Sequence, residues 1–300
     1  AGRSFGLSHN TVYSLEFDDA GALWIGTNGG GVNRFSQRRI YRVRFQHDAE
    51  DPYSLSDGKV TAMTRESDGT LWVGTYNGGV NRYDEGTDRM LRYQDSAPEG
   101  RELSDNIVTD IFEDRSGTLW VGTNDGMNRY DPARDTFEVY RSDPDDPSSV
   151  PASIIYAFAQ TEAGVLWVGT YETGIFLWDK NDGLITTHSH DPEDRHSLSD
   201  NLVYEILETQ DGRIWVATNR GLNRYRPETA DWVRYLHDPS DRSTISANTS
   251  RTLFEDSRGV LWIGTTGGGL NRYDAAEDSF VTYTRQDGLP SNTVLAIREG

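Results

Sequence analysis

Cysteine is absent from the 300 residues. That excludes a disulfide framework and any thiolate metal site, and it leaves the redox compartment open. Lysine is nearly absent. Only Lys59 and Lys180 occur, so Arg supplies almost all of the 29 basic residues, set against 48 acidic ones. A formal net charge of -19 argues against nucleic acid or an anionic membrane surface as partner, since both need a cationic face. The chain has no apolar run of membrane-helix length and no basic-then-apolar leader. No helical pattern with caps is visible. There is no Gly-x-Ser-x-Gly elbow, phosphate-binding loop or His-Glu-x-x-His stretch, so catalysis has no motif behind it.

What the chain has is repetition. The mean hydropathy of -0.68 leans towards disorder. The 8 Trp, 15 Tyr and 10 Phe argue the other way, because they recur at fixed positions. "LWIGTNGGGVNRF" from Leu23 returns as "LWVGTYNGGVNRY" from Leu71, "LWVGTNDGMNRY" from Leu119 and "LWVGTYETGIFLW" from Leu166. It returns again as "IWVATNRGLNRY" from Ile214 and "LWIGTTGGGLNRY" from Leu261. The repeated indoles are Trp24, Trp72, Trp120, Trp167, Trp215 and Trp262, spaced by 47 or 48 residues. Such a period marks a stacked or closed repeat architecture.

Each unit holds four short segments rich in β-branched and aromatic residues. In the fifth copy they cover 202–208, 213–218, 221–226 and 231–237. Asp/Gly turns separate them, which predicts strands. Four antiparallel strands per unit make one propeller blade, and a blade needs neighbours to cover its faces. The expected fold is all-β, a β-propeller of four-stranded antiparallel blades, with six complete repeats plus one strand of a seventh. The repeats run approximately 7–54, 55–102, 103–149, 150–197, 198–245 and 246–290, within a single domain covering 1–300. Residues 291–300 restate the first strand of a further repeat. Either six blades close, or the chain belongs to a larger propeller. The first residue, Ala, and the stop at Gly300 favour a piece of a longer protein. The indole should fill the layer between blades. The Gly or Ala two residues later, at 26, 74, 122, 169, 217 and 264, should let backbones approach. Burying each such ring contributes about 1.5–3 kcal/mol or more.

Copies such as "HDPEDRHSLSDNLV" (190–203) and "DSRGVLWIGTTGGGLNRYD" (256–274) resemble the two-component regulator propeller repeat. The resemblance covers essentially the whole chain. It implies a periplasmic sensor propeller followed by a membrane helix and an output module, commonly a histidine kinase or diguanylate cyclase, and often oligosaccharide sensing. No output module or membrane segment lies in this chain. The copies differ among themselves. The third is one residue short at "NDGMNRY", the fourth replaces "NRYD" with "FLWDK" (176–180), and the connector "QDSAPEGRELSDN" lacks the His-Asp-Pro opening.

The variable letters fall in the turn between second and third strands. That turn supplies Asn28, Tyr76, Asn77, Asn124, Asp125, Tyr171, Glu172, Asn219, Arg220 and Thr266. Flat aromatics stack on sugar rings, while Asn, Asp and Arg bond hydroxyls. The plainer alternative is solvated turn residues chosen for backbone conformation. First strands should line the channel with Ser14, Ala62, Asp110, Ala157, Glu205 and Thr252 at one register. Tyr13, Thr61, Thr109, Tyr156, Tyr204 and Arg251 fall one position earlier. Asp110 and Glu205 join the ligand-binding candidates, as the residue type that glycosidases use in pairs. The Arg at 34, 82, 129, 224 and 272 should bridge to an adjacent blade, and the Ser and Asn of "SLSDN" should bond within the connector. "HSHDPEDRH" and the acidic connectors are read as surface loops, with no metal and no cofactor expected.

The reading is a non-catalytic, extracytoplasmic sensor propeller, periplasmic in location. Its expected partners are a small-molecule or oligosaccharide ligand and neighbouring domains of the parent protein. No nucleic acid and no membrane contact by this segment are expected. A protein-interaction scaffold is the alternative, and a propeller lyase or hydrolase a further one.

Overall fold

The computed structural model describes residues 6–36, 39–96, 102–179 and 182–299. Residues 97–101 of the irregular connector and Lys180 of the "FLWDK" departure lie outside the described residues. Six four-stranded antiparallel sheets follow one another, each in simple strand order, which is the blade arrangement of a β-propeller.

The described residues fall into two compact units, one up to Tyr140 and one from Arg141 to Glu299. In the first unit, blade 1 holds β1 (Val12–Phe17), β2 (Leu23–Thr27), β3 (Val32–Ser36) and β4 (Arg39–Phe45). Blade 2 holds β5 (Val60–Arg65), β6 (Leu71–Thr75), β7 (Val80–Asp84) and β8 (Arg89–Tyr93). Blade 3 holds β9 (Val108–Glu113), β10 (Leu119–Thr123), β11 (Gly126–Asp131) and β12 (Thr136–Tyr140).

In the second unit, blade 4 holds β13 (Ile155–Gln160), β14 (Leu166–Thr170), β15 (Ile175–Asp179) and β16 (Gly183–His188). Blade 5 holds β17 (Val203–Glu208), β18 (Ile214–Thr218), β19 (Gly221–Arg226) and β20 (Asp231–Tyr235). Blade 6 holds β21 (Ser250–Glu255), β22 (Leu261–Thr265), β23 (Leu270–Asp274) and β24 (Ser279–Tyr283). One 3₁₀ turn, Arg285–Asp287, departs from the expectation of no helix. Thr284 and Asp287 close a capping box over it.

Within each unit the indoles fill the layer between consecutive blades. Trp24 meets Tyr83 edge-on with centroids 5.3 Å apart, and Trp72 meets Tyr130 at 4.9 Å. In the second unit Trp167 meets Tyr225 at 5.1 Å, and Trp215 meets Tyr273 at 4.8 Å. Edge-to-face pairs at such distances add to the burial gain. Below the indole lies the close approach that glycine permits. A Cβ on Gly74 would stand 2.5 Å from Val108 Cγ1, and one on Gly169 the same distance from Val203 Cγ1. Blade 5 carries Ala217 instead, and there the residue at the register of Val60, Val108 and Val203 is the smaller Ser250.

A buried polar triad pins the connector to its blade in blades 2, 3 and 5. Ser56 N donates to Asn81 Oδ1 (2.9 Å), Asn81 Nδ2 donates to Ser56 Oγ (2.7 Å), and Thr75 Oγ1 lies 3.1 Å from Ser56 Oγ. Ser104–Thr123–Asn128 and Ser199–Thr218–Asn223 repeat it. The second Ser of "SLSDN" therefore bonds outside its connector, whereas its Asn bonds within, as when Asn201 Oδ1 accepts from His190 N (2.6 Å). Blade 4 has Pro151 and Phe176 at these triad positions, which exchanges a satisfied polar group for an apolar one.

Residues 291–299 carry no strand assignment, having no ladder partner among the described residues. They nevertheless lie on blade 6 as first strands lie on a preceding blade. Gly269 N donates to Asn292 O (2.8 Å), as Gly79 N does to Asn106 O (2.9 Å). Ser257 N donates to Glu299 Oε2 (2.7 Å), as Ser67 N does to Glu113 Oε2 (2.7 Å).

Candidate functional site

The sequence variation of the second-to-third-strand turns rests on an invariant backbone frame. The first variable residue of each turn donates its N–H to the carbonyl of the residue just before the first strand. The pairs are Asn28 to Thr11, Tyr76 to Lys59, Asn124 to Ile107, Tyr171 to Ile154, Asn219 to Leu202 and Thr266 to Thr249, all within 2.9–3.2 Å. This bond fixes the start of every turn, although the turns of blades 3 and 5 are one residue shorter.

Each first strand also carries a β-bulge at one position. In β13, Ile155 pairs with Thr170 and Ala157 with Gly169, which leaves Tyr156 as the extra residue. The same irregularity isolates Tyr13, Thr61, Thr109, Tyr204 and Arg251. A bulge bends the strand and re-aims one side chain. This alters the expected channel register. Ala62, Ala157 and Thr252 are buried between blades, and Glu205 Oε2 accepts from Leu253 N of the next blade (2.7 Å). Glu205 is thereby committed to blade-to-blade packing. Asp110 Oδ1 accepts from the adjacent Ile111 N (2.9 Å). The bulge residues are the ones set apart.

In the first unit, Thr61 at the bulge ties its blade to the next by donating to Val108 O (2.6 Å). At the turn, Lys59 Nζ lies 3.4 Å from the centroid of the exposed Tyr76 ring, and Asn28 forms a bridge with Lys59. Asn77 beside them is exposed, as is Asp125, whose N–H donates to Thr123 Oγ1 (3.2 Å). Asn124 is half-buried.

In the second unit the bulge residues are large. Tyr156 stacks on Tyr171, with centroids 6.0 Å apart and planes at 26°. It also meets Tyr204 edge-on at 6.0 Å. Arg251 Cζ lies 3.8 Å over the Tyr204 ring. Tyr171 is 42% exposed. Three tyrosines from two blades thus form a continuous run, closed by a guanidinium from a third. Around it, Glu172 N donates to Ser153 Oγ (3.2 Å), Arg220 pairs with Asp200 (3.3 Å) and Asn219 O accepts from Thr249 Oγ1 (3.2 Å). Glu172, Arg220 and Thr266 are exposed.

Of the turn residues singled out by sequence, the structure brings Tyr171 and Tyr76 into such clusters. The sequence reading noted Tyr156, Tyr204 and Arg251 one position before the chosen register and did not weigh Lys59 as a contact. The available signal was the change from Thr to Tyr or Arg at one register of the first strand. Alternation alone does not reveal the bulge that sets this register apart.

Other candidates prove structural. His190 and His237 bond the carbonyls of Leu198 (2.7 Å) and Ile245 (2.8 Å) inside their connectors. His188 stacks on Trp167 at 5.9 Å, and burial holds its imidazole below the usual range. No group of three or more metal-ligating side chains occurs among the described residues. A crevice of about 690 Å³ opens between blades 1 and 2, away from the turns. Two ion pairs cross its walls, Arg34 with Asp18 (2.7 Å) and Arg65 with Asp19 (3.1 Å).

The family model described as two component regulator propeller matches six times, at residues 6–29, 54–77, 102–125, 149–172, 197–220 and 244–267. No curated protein matches the chain. Among solved structures, the extracellular domain of the hybrid two component system BT3049 from B. thetaiotaomicron is 23% identical with a TM-score of 0.82. It aligns over 100% of this chain and 38% of its own. The extracellular domain of the one component system BT4673 from the same organism is 22% identical with a TM-score of 0.61, over 91% and 43%. A catalytically inactive virginiamycin B lyase from Staphylococcus aureus, with quinupristin, is 14% identical with a TM-score of 0.69, over 96% and 88%. The chain thus spans about two fifths of the length of the two sensor domains. At these identities the likeness is one of fold.

Proposed function

Because the chain belongs to the two-component regulator propeller family, we propose that it is a non-catalytic, extracytoplasmic sensing module of a bacterial signalling protein and binds a small carbohydrate. The observation that carries the ligand class is the run Tyr171–Tyr156–Tyr204. The first unit places Thr61 and Thr109 at two of the same bulges, and Thr61 serves as a tie between blades. In the second unit stacked, partly exposed rings take two of these positions. They form a flat apolar surface beside polar turn residues, which is the combination that holds a sugar ring. The sensor domains that share the fold support the location and the signalling role. Binding would act by shifting how the module packs on neighbouring domains of its parent protein.

A non-catalytic reading is supported by the carboxylates themselves. Glu205 Oε2 accepts from a backbone amide of the next blade, which engages it in packing rather than leaving it to act as an acid or base.

The test is a thermal-shift screen of the chain against a glycan panel, repeated on Tyr156→Ala. Ligand binding to the native state raises the melting point. A glycan that raises it for the parent chain and not for the variant supports the proposal. A panel without a single hit, or a hit indifferent to Tyr156, overturns it.

A further inference from the structure

We infer that the tyrosine run of the second unit takes an anionic saccharide, with Arg251 receiving its carboxylate or sulfate oxygens. This deepens the carbohydrate reading above and rests on it.

Arg251 stands at the bulge of β21, the register that carries Tyr156 in β13 and Tyr204 in β17. Its guanidinium lies over the Tyr204 ring at 3.8 Å and makes no ion pair or hydrogen bond with any described residue. That is unusual company for a cation here, since the chain carries a net charge of -19. Four other arginines of the unit are engaged. Arg224 meets the Tyr273 hydroxyl (3.1 Å), Arg226 meets Asp231 (2.6 Å), Arg220 meets Asp200 (3.3 Å) and Arg234 meets Asp194 O (2.7 Å). The nearest acid in sequence to Tyr204 is Glu205, and its carboxylate is held by Leu253 N on the next blade.

A guanidinium lying over an aromatic ring uses its face for the contact. Its N–H edge stays available, and that edge matches two oxygens of a carboxylate or sulfate. The rings of Tyr204 and Tyr156 begin directly beside it. A ligand that uses both features needs a sugar ring and a negative charge on one small molecule. An inorganic anion would leave the rings unused, and a neutral sugar would leave the guanidinium unfilled.

The experiment is calorimetric titration of the chain with trisaccharides of galacturonate, glucuronate, mannuronate and guluronate. Each is paired with its neutral methyl ester. A 6-O-sulfated neutral trisaccharide and sodium sulfate complete the set. At least one acidic sugar is expected to bind tenfold or more tighter than its neutral partner, with affinity falling as salt rises. Whether the uronate or the sulfated sugar wins identifies the source of the charge. Arg251→Gln should abolish the preference while keeping the melting point. Arg242→Gln, an exposed connector residue, should retain the preference. Equal binding of acid and ester, lost in Tyr156→Ala, overturns the anionic assignment and leaves the carbohydrate reading intact. Binding of sulfate ion alone, or of no sugar, overturns both.

Discussion

The Arg82 guanidinium of blade 2 reaches across to the Asp135 carboxylate of blade 3 at 3.0 Å, and its Nη1 also donates to the Tyr130 hydroxyl. Arg224 repeats the arrangement one unit later with Tyr273 (3.1 Å) and Asp278 (3.5 Å). The sequence expectation of an Arg bridging blades holds at these two positions. It fails at Arg34, which turns back to Asp18 of its own blade, and at Arg129, which pairs with Glu138 of its own blade (3.6 Å). Arg272 Nε is buried without a partner. Arg82→Ala should therefore destabilise by about 1.5–3 kcal/mol, the range for hydrogen bonds to charged groups. Arg272→Ala should cost less. Urea unfolding of both variants checks the contrast, and equal losses would contradict the bridge.

A second prediction concerns Trp72, whose indole N–H donates to Glu66 Oε2 at 2.6 Å, and Trp120, whose indole donates to Asp114 Oδ2 at 3.1 Å. Burial, with Asp68 and Glu113 nearby, pushes the Glu66 carboxyl above its ordinary value, against the opposing pull of Trp72 and Arg82. Burial acts the same way on Asp114, but hydrogen bonds from Ser116, Thr118 N and Trp120 outweigh it and lower that carboxyl. The signs are opposite. A raised carboxyl stabilises below its unfolded value, and the gain is lost as pH rises through its folded value. A lowered one stabilises above its unfolded value, and the gain is lost as pH falls through its folded value. Glu66→Gln should thus be neutral or stabilising at pH 7, with the difference shrinking as pH drops into the carboxylate range. Asp114→Asn should destabilise at pH 7 and converge on the parent in acid. Melting curves from about pH 3 to pH 7 decide this.

The glycine–valine approach can be tested by compensation. Gly74→Ala alone should cost about 1–3 kcal/mol, because its Cβ would stand 2.5 Å from Val108 Cγ1. Adding Val108→Ser copies the Ala217 and Ser250 combination found between blades 5 and 6. The double variant should lie well above the sum of the two single losses. Strict additivity would show that the two positions do not meet.

Tyr171→Ala separates stability from binding. The ring is 42% exposed, so its removal should leave stability within about 0.5 kcal/mol of the parent. It should still weaken any glycan that Tyr156 holds, since the two rings stack. A large drop in melting point would instead make Tyr171 a packing residue.

The sequence alone determined the blades. A 47- or 48-residue period, four short β-rich segments and Asp/Gly turns admit few other packings, because each thin sheet must hide both faces. It also determined the indole layer and the small residue beneath it, since both recur in every copy. Only the tertiary structure decided which side chain of each first strand is set apart. Alternation assigns faces by counting in twos, and a one-residue bulge breaks that count. Asp110 and Glu205 were singled out as carboxylates, while Tyr156, Tyr204 and Arg251, noted one position earlier, were not chosen. Stacking between blades is likewise a distance in space, not in sequence. Tyr156 and Tyr204 lie a full repeat apart along the chain and 6.0 Å apart in the fold.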